Sequence, residues 1–185
     1  MNNLKNAYIA LLRGINVGGN NSIKMAALKQ CFETMGFTDV VTYIQSGNVL
    51  FTSPKHDQEL LTEPIESTLS KTFNYKARVV TVSHTQLKET VEHAPHGFGT
   101  EPAIYRYDVV FLKPPLTASE AMKRITIKEG VDQVYAGKNV LYFSRLIEKA
   151  TQSRISSIIS LPIYQNMTIR NWNTTTKLLA LMEKI

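Results

Sequence analysis

The chain has 185 residues, 43% of them apolar and 19% charged, with a single cysteine. Apolar runs recur throughout, which excludes a disordered chain and fits one domain or two small ones. The lone Cys31 excludes an internal disulfide, no apolar stretch approaches the ~20 residues of a membrane-spanning helix, and the first residues show no signal-peptide pattern. The expectation is a soluble, cytoplasmic protein with no membrane partner.

The net charge of +6 is unevenly spread. Residues 1–103 hold 9 Lys+Arg and 9 Asp+Glu, whereas residues 104–185 hold 12 and 6. A basic second half suits an anionic partner such as a nucleotide or nucleic acid. Solubility alone is the plainer explanation.

Residues 7–12 (Ala-Tyr-Ile-Ala-Leu-Leu) form a continuous apolar run, the pattern of a strand buried on both faces. A long Gly/Asn-rich stretch follows, and then Met25, Leu28, Cys31, Phe32 and Met35 recur at helical spacing up to Gly36. Cys31 lies on that apolar stripe, where a buried, inert thiol is expected. Residues 39–45 and 48–52 are β-rich around Ser46-Gly47, a hairpin signal. Leu61, Ile65, Leu69 and Phe73 mark a helix, with Pro64 in its first turn and Thr62 near its start. Residues 76–82 read as a strand, 83–93 as a short helix, and the turn-rich 94–102 as a link.

The pattern then restarts. Residues 104–112 alternate as a strand, with Tyr105, Tyr107, Val109 and Phe111 on one face; Pro114-Pro115 ends it. A helix is expected over 119–125, a hairpin over 131–135 and 139–144 around Gly137, a helix over 149–159, and a strand over 167–170. A last helix over 174–184 has Asn173 as its expected N-cap. Both halves thus read β-α-β-β-α-β. The expected fold is α+β: a tandem duplication of a ferredoxin-like unit with antiparallel sheets and an extra C-terminal helix. The expected organisation is a first repeat over 1–83, a helix and linker over 84–103, and a second repeat with its helix over 104–185, the halves packed as one unit. A short echo supports duplication: Gly47-Asn48-Val49-Leu50-Phe51 resembles Lys138-Asn139-Val140-Leu141-Tyr142-Phe143. Aligning Asn48 with Asn139 leaves the first repeat about nine residues longer between its first strand and its hairpin.

That excess falls in the loop from Gly14 to Ile23, where βα connections usually take ~2–6 residues. Gly14, Gly18 and Gly19 permit close backbone approach, and Asn16 and Asn20 bring amide groups. Arg13 and Lys24 flank the loop, and a helix start with nearby cations suits an anion. The loop carries neither the dinucleotide fingerprint nor a Walker sequence, so internal bracing is the standing alternative. A second group is Arg170, Asn171, Trp172 and Asn173, another strand end entering a helix, where capping and packing compete with ligand binding. Gln45, Ser46 and Asn48 at the hairpin turn form a third group, with turn geometry as the alternative. Arg145, Lys149 and Arg154 form a basic group, for which a solvated face is the usual explanation. His93-x-x-His96 lacks further ligands, so no metal is expected. The third-strand pattern of RNA-recognition modules is missing at Ser46–Phe51, although Tyr43, Tyr135 and Tyr142 offer rings.

Leu-Leu-Arg-Gly-Ile-Asn-Val-Gly-Gly at 11–19, Met25-Ala26-x-Leu28, Gly36-Phe37-Thr38-Asp39-Val40, Thr42 to Val49, and Thr168-Ile169-Arg170-Asn171-Trp172-Asn173-Thr174 together resemble a bacterial family, domain of unknown function 1697. The resemblance spans nearly the whole chain and implies the same duplicated ferredoxin-like architecture. It implies no activity, no cofactor and no catalytic residue. Three functions therefore compete: binding of a small anionic ligand at the first loop together with the Arg170 segment, nucleic-acid binding by the basic second half, and a structural or protein-interaction role.

Overall fold

The computed structural model describes residues 7–16, 21–54 and 58–185. The chain forms two compact units, Met1–Lys88 with Leu178–Ile185, and Glu89–Lys177. The order of elements in the first repeat is β1 (Ala7–Leu12), α1 (Met25–Thr34), β2 (Thr38–Tyr43), β3 (Asn48–Thr52), α2 (Glu59–Phe73) and β4 (Val79–Ser83), followed by α3 (His84–Glu92). The second repeat runs β5 (Tyr105–Leu112), α4 (Ala118–Arg124), β6 (Asp132–Ala136), β7 (Val140–Leu146), three 3₁₀ turns, β8 (Met167–Asn171) and α5 (Trp172–Met182). The two sheets have the same order, β2-β3-β1-β4 and β6-β7-β5-β8, and every neighbouring pair is antiparallel. This is the split βαβ topology, made twice.

Strand alternation assigns the cores. Tyr8, Ala10 and Leu12 point to the helix side of β1 and pack with Val49, Phe51, Leu28, Phe32, Ile65 and Leu69. Ile9 and Leu11, on the other face, are also fully buried, as the unbroken apolar run requires. In the second unit Val110, Leu112, Leu141, Phe143 and Met167 pack with Ala118, Ala121, Ile155 and Ile158. Cys31 is buried beside Thr72, its Sγ 3.8 Å from the Thr72 hydroxyl, and burial pushes its thiol pKa up.

Corresponding backbone bonds close the first strand of each repeat. Leu12 N donates to Gly47 O and Leu112 N to Asn139 O; Arg13 N donates to Arg78 O and Lys113 N to Asn166 O. These bonds correct the sequence echo. Leu11 pairs with Asn48 and Phe111 with Val140, so Asn48 corresponds to Val140, and Phe51 to Phe143. The matching Asn-Val letters are one residue out of register, and the insertion is eight residues rather than nine. Strand pairing sets register through the pleat, whereas letter matching follows composition.

Three helix expectations change. α2 starts at Glu59, which puts Pro64 inside it. Proline removes one donor to the carbonyl four residues back, that of Leu60, on an exposed side of the helix. The helix expected over 149–159 is instead a run of 3₁₀ turns, Ala150–Gln152, Ile155–Ser160 and Pro162–Asn166. Ser157 Oγ donates to Arg154 O and Ser160 Oγ to Ser157 O, so serine hydroxyls compete for the carbonyls that an α-helix would use. The buried Asp132 carboxylate anchors this run by accepting from Lys128 N and Arg154 N, both at 2.9 Å. Finally, α5 starts at Trp172 and is capped by Asn171, whose Oδ1 accepts from Thr174 N at 2.7 Å; Asn173 is already helical. Among the described residues no helix is long and apolar enough to cross a membrane.

Candidate functional site

The end of β1 is held between the start of β4 and the β2–β3 turn. Leu12 N bonds to Gly47 O at 2.8 Å and Arg13 N to Arg78 O at 2.9 Å. This brings Arg13, Gly14 and Asn16 beside Gln45, Ser46 and Asn48. Asn16 adopts a left-handed backbone, φ 53°. Its Oδ1 accepts from Ile23 N at 2.8 Å, and its Nδ2 donates to Ile23 O at 3.0 Å and Gln45 O at 2.9 Å. Asn16 N also donates to Asn21 O, and Asn21 Nδ2 donates to Gly14 O at 2.9 Å. Both amide hydrogens of Asn16 are therefore used on backbone carbonyls, and the neck of the loop is closed by asparagine. Gly18, Gly19 and Asn20 lie outside the described residues.

Gly47 is required where it stands. It has φ +79°, and a Cβ there would lie 2.8 Å from the side chains of Leu12 and Ile15. Asn48 is fully buried and donates to Tyr43 O at 3.0 Å and Ser46 Oγ at 3.2 Å, which holds the turn. Ser46 is half-buried and Gln45 exposed.

α1 leaves the loop at Lys24. This N-cap residue makes no side-chain capping bond, and the first turn contains no acidic residue. The N–H groups of that turn carry partial positive charge without a capping carboxylate or hydroxyl. The second repeat differs at the corresponding junction. There α4 begins with a capping box: Thr117 Oγ1 accepts from Glu120 N, and Glu120 accepts from Thr117 N. Those bonds from Thr117 hold the Glu120 carboxyl below its usual pKa. A groove of about 690 Å³, lined by Thr117, Met122, Lys123, Gly137 and Lys138 among others, lies at that junction.

The Arg170 segment belongs to the second unit, and Arg13 to the first. Arg170 is buried; its Nη1 donates to Thr168 Oγ1 at 3.0 Å and Ile169 O at 2.8 Å, and burial lowers its pKa. Asn171 caps α5, and Asn173 is exposed. Trp172 stands edge-on to Phe98, ring centroids 5.1 Å apart at 88°. Gly99, at φ +87°, leaves room for the indole, which a Cβ would strike. Asp108 pairs with Arg106 at 3.3 Å. His93 Nδ1 lies 3.0 Å from Glu89 O, at the end of its own helix.

Residues 5–142 match the family described as "Protein of unknown function (DUF1697)". The chain belongs to that family. Among solved structures it is similar to the conserved bacterial protein SP0830 from Streptococcus pneumoniae, at 26% identity and a TM-score of 0.82, over 95% of this chain and 98% of that one. No curated protein matches the chain.

In this DUF1697 member the structure also assembles a group absent from the sequence expectations. Phe98, from the turn-rich link, packs against Tyr107, Tyr142 and Trp172. The one-face alternation of Tyr105 and Tyr107 was legible on the strand. Phe98, between Gly97 and Gly99, gave no sequence signal of where its ring lands, because its ring partners are distant in the chain.

Proposed function

We propose that the protein binds a small anionic ligand, phosphate- or nucleotide-like, at the junction between β1 and α1. Arg13 and Lys24 supply charge, and the first turn of α1 supplies N–H donors. The observation that supports this reading is the start of α1: a ten-residue helix with lysine at its N-cap, no capping side chain and no acid in its first turn. Asn16 and Asn21 hold the neck of the loop, with Gly14 in a positive-φ turn. Gln45, Ser46 and Asn48 support that neck. Arg170 and Asn171 are left out of the site, because their bonds serve β8 and α5, and Asn173 is left out as an exposed residue in the first turn of α5.

A second reading, a purely structural loop, draws on Asn16, whose amide is spent on Ile23 and Gln45. Thermal unfolding with sodium phosphate, a nucleoside monophosphate or a single-stranded oligonucleotide, against chloride at equal ionic strength, separates the readings. A ligand present at ~100 times its Kd stabilises by ~2.7 kcal/mol. The expected result is a raised Tm with phosphate or the monophosphate that shrinks in Arg13→Ala and in Lys24→Ala. No rise, or an equal rise in both variants, leaves the structural reading. A response to the oligonucleotide alone, falling with salt, indicates nucleic acid instead.

A further inference from the structure

The second unit contains a cleft of about 210 Å³ between the turn around Gly97 and the outer face of its sheet. Five rings line it: Phe98, Tyr105, Tyr107, Tyr135 and the imidazole of His96. Its size admits a ligand smaller than a drug-like molecule. The register explains the arrangement. Tyr107 and Gln133 both pair with Ser144, so these three form one row across β5, β7 and β6, and Tyr105 and Tyr135 stand two residues away on the same face.

The fixed charge of the cleft is a carboxylate. Among the described residues no Lys or Arg lines it; Glu101 brings a carboxylate and His96 an imidazole. Glu101 is exposed and lines the cleft together with Tyr105 and Tyr107. At the floor, Gln133 Oε1 accepts from Ser144 Oγ at 3.4 Å and from the Tyr135 hydroxyl at 3.5 Å, which holds Tyr135 in the wall.

Ring geometry narrows the ligand further. Phe98 and Tyr107 meet at 67° with centroids 4.9 Å apart, and Tyr105 and Tyr107 at 45° with centroids 6.0 Å apart. A flat base needs a parallel ring to stack on. Walls inclined at these angles make a concave cage, which suits a compact, rounded group. Tyr135 is 46% exposed, so the cage has an open side.

We propose that this cleft binds a small organic cation of the quaternary-ammonium class, held against the tyrosine and phenylalanine rings by cation–π attraction and by the Glu101 carboxylate. The site does not involve the β1–α1 loop, so its test is independent of the anion reading above.

Choline chloride is titrated into the full-length ¹⁵N-labelled protein, with sodium chloride as the ionic-strength control. Its neutral isostere 3,3-dimethylbutan-1-ol and the nucleoside uridine are titrated in parallel. The expected result is saturable choline shifts at Tyr105, Tyr107, Gln133 and Ser144, with the isostere weaker by about threefold or more. Glu101→Gln and Tyr135→Leu, both at exposed positions, are expected to weaken choline by a similar factor while leaving the rest of the spectrum in place. Absence of choline shifts, equal binding of the isostere, tighter binding of uridine, or full choline affinity in both variants overturns the proposal.

Discussion

Tyr142 shows how one side chain connects a strand to the segment before it. It is 2% exposed on β7, and its hydroxyl donates to Thr90 O at 2.7 Å. Burial pushes its pKa from 10.0 to about 12. The sign follows from linkage: the folded chain holds the phenol proton more tightly than the unfolded chain does. The stabilisation is complete below about pH 10 and is lost as the pH rises through about 12. Tyr142→Phe cannot ionise and cannot donate. It is expected to cost about 1 kcal/mol at pH 7 and to flatten the loss of stability between pH 10 and 12. Urea unfolding at neutral and alkaline pH measures both; an unchanged alkaline slope in the variant assigns the loss to other groups. Asn16 illustrates the limit of residue-level reading. Asparagine in a loop is compatible with ligand binding or with bracing, and only its bonds to Ile23 and to Gln45, 29 positions away, reveal the bracing.

At the scale of elements, the helix starts carry the contrast. α4 has its own capping box, α5 takes its cap from Asn171 at the end of β8, and α1 starts at a lysine without a side-chain cap. Asn171→Ala is expected to cost about 1 kcal/mol, whereas Asn173→Ala stays within about 0.5 kcal/mol. Denaturant unfolding of the two variants decides it, and a larger loss at Asn173 would return the cap to that residue. Both asparagines stand before an apolar helical stripe, so either satisfied the sequence rule; the geometry of Thr174 N distinguishes them. The 3₁₀ run between β7 and β8 has a similar lesson. Ile155, Ile158 and Ile159 gave a helical spacing, but Ser156, Ser157 and Ser160 among them favour local side-chain bonds over an α-helical ladder.

For the whole molecule, the duplication is a statement about two hydrophobic cores made the same way. Phe51 and Phe143 occupy corresponding places on β3 and β7, and both are fully buried in the core of their own unit. Phe51→Ala and Phe143→Ala are each expected to destabilise by about 3–5 kcal/mol, a large part of the ~5–15 kcal/mol that holds a typical domain together. Calorimetry or denaturant unfolding of each variant checks this. A loss below about 1 kcal/mol at either position would mean that its core collapses around the cavity.

The sequence by itself determined the order of the strands, most of the helices, the two antiparallel sheets and most of the core. Apolar alternation and helical spacing are local signals, repeated over enough residues to outweigh single exceptions such as Pro64. It also marked the Gly14–Ile23 loop as the feature that separates the two repeats. Tertiary structure alone decided the register of the repeats, the residue that caps α5, and the work of Asn16. It also decided where Phe98 lands. Each of these depends on hydrogen bonds or ring contacts between residues far apart in the chain, where letter types give the capacity for a bond but not its partner. The loop thus changes from a run of glycine and asparagine into a neck tied by asparagine in front of an uncapped helix start, and the link that looked like mere turns becomes one wall of an aromatic cleft.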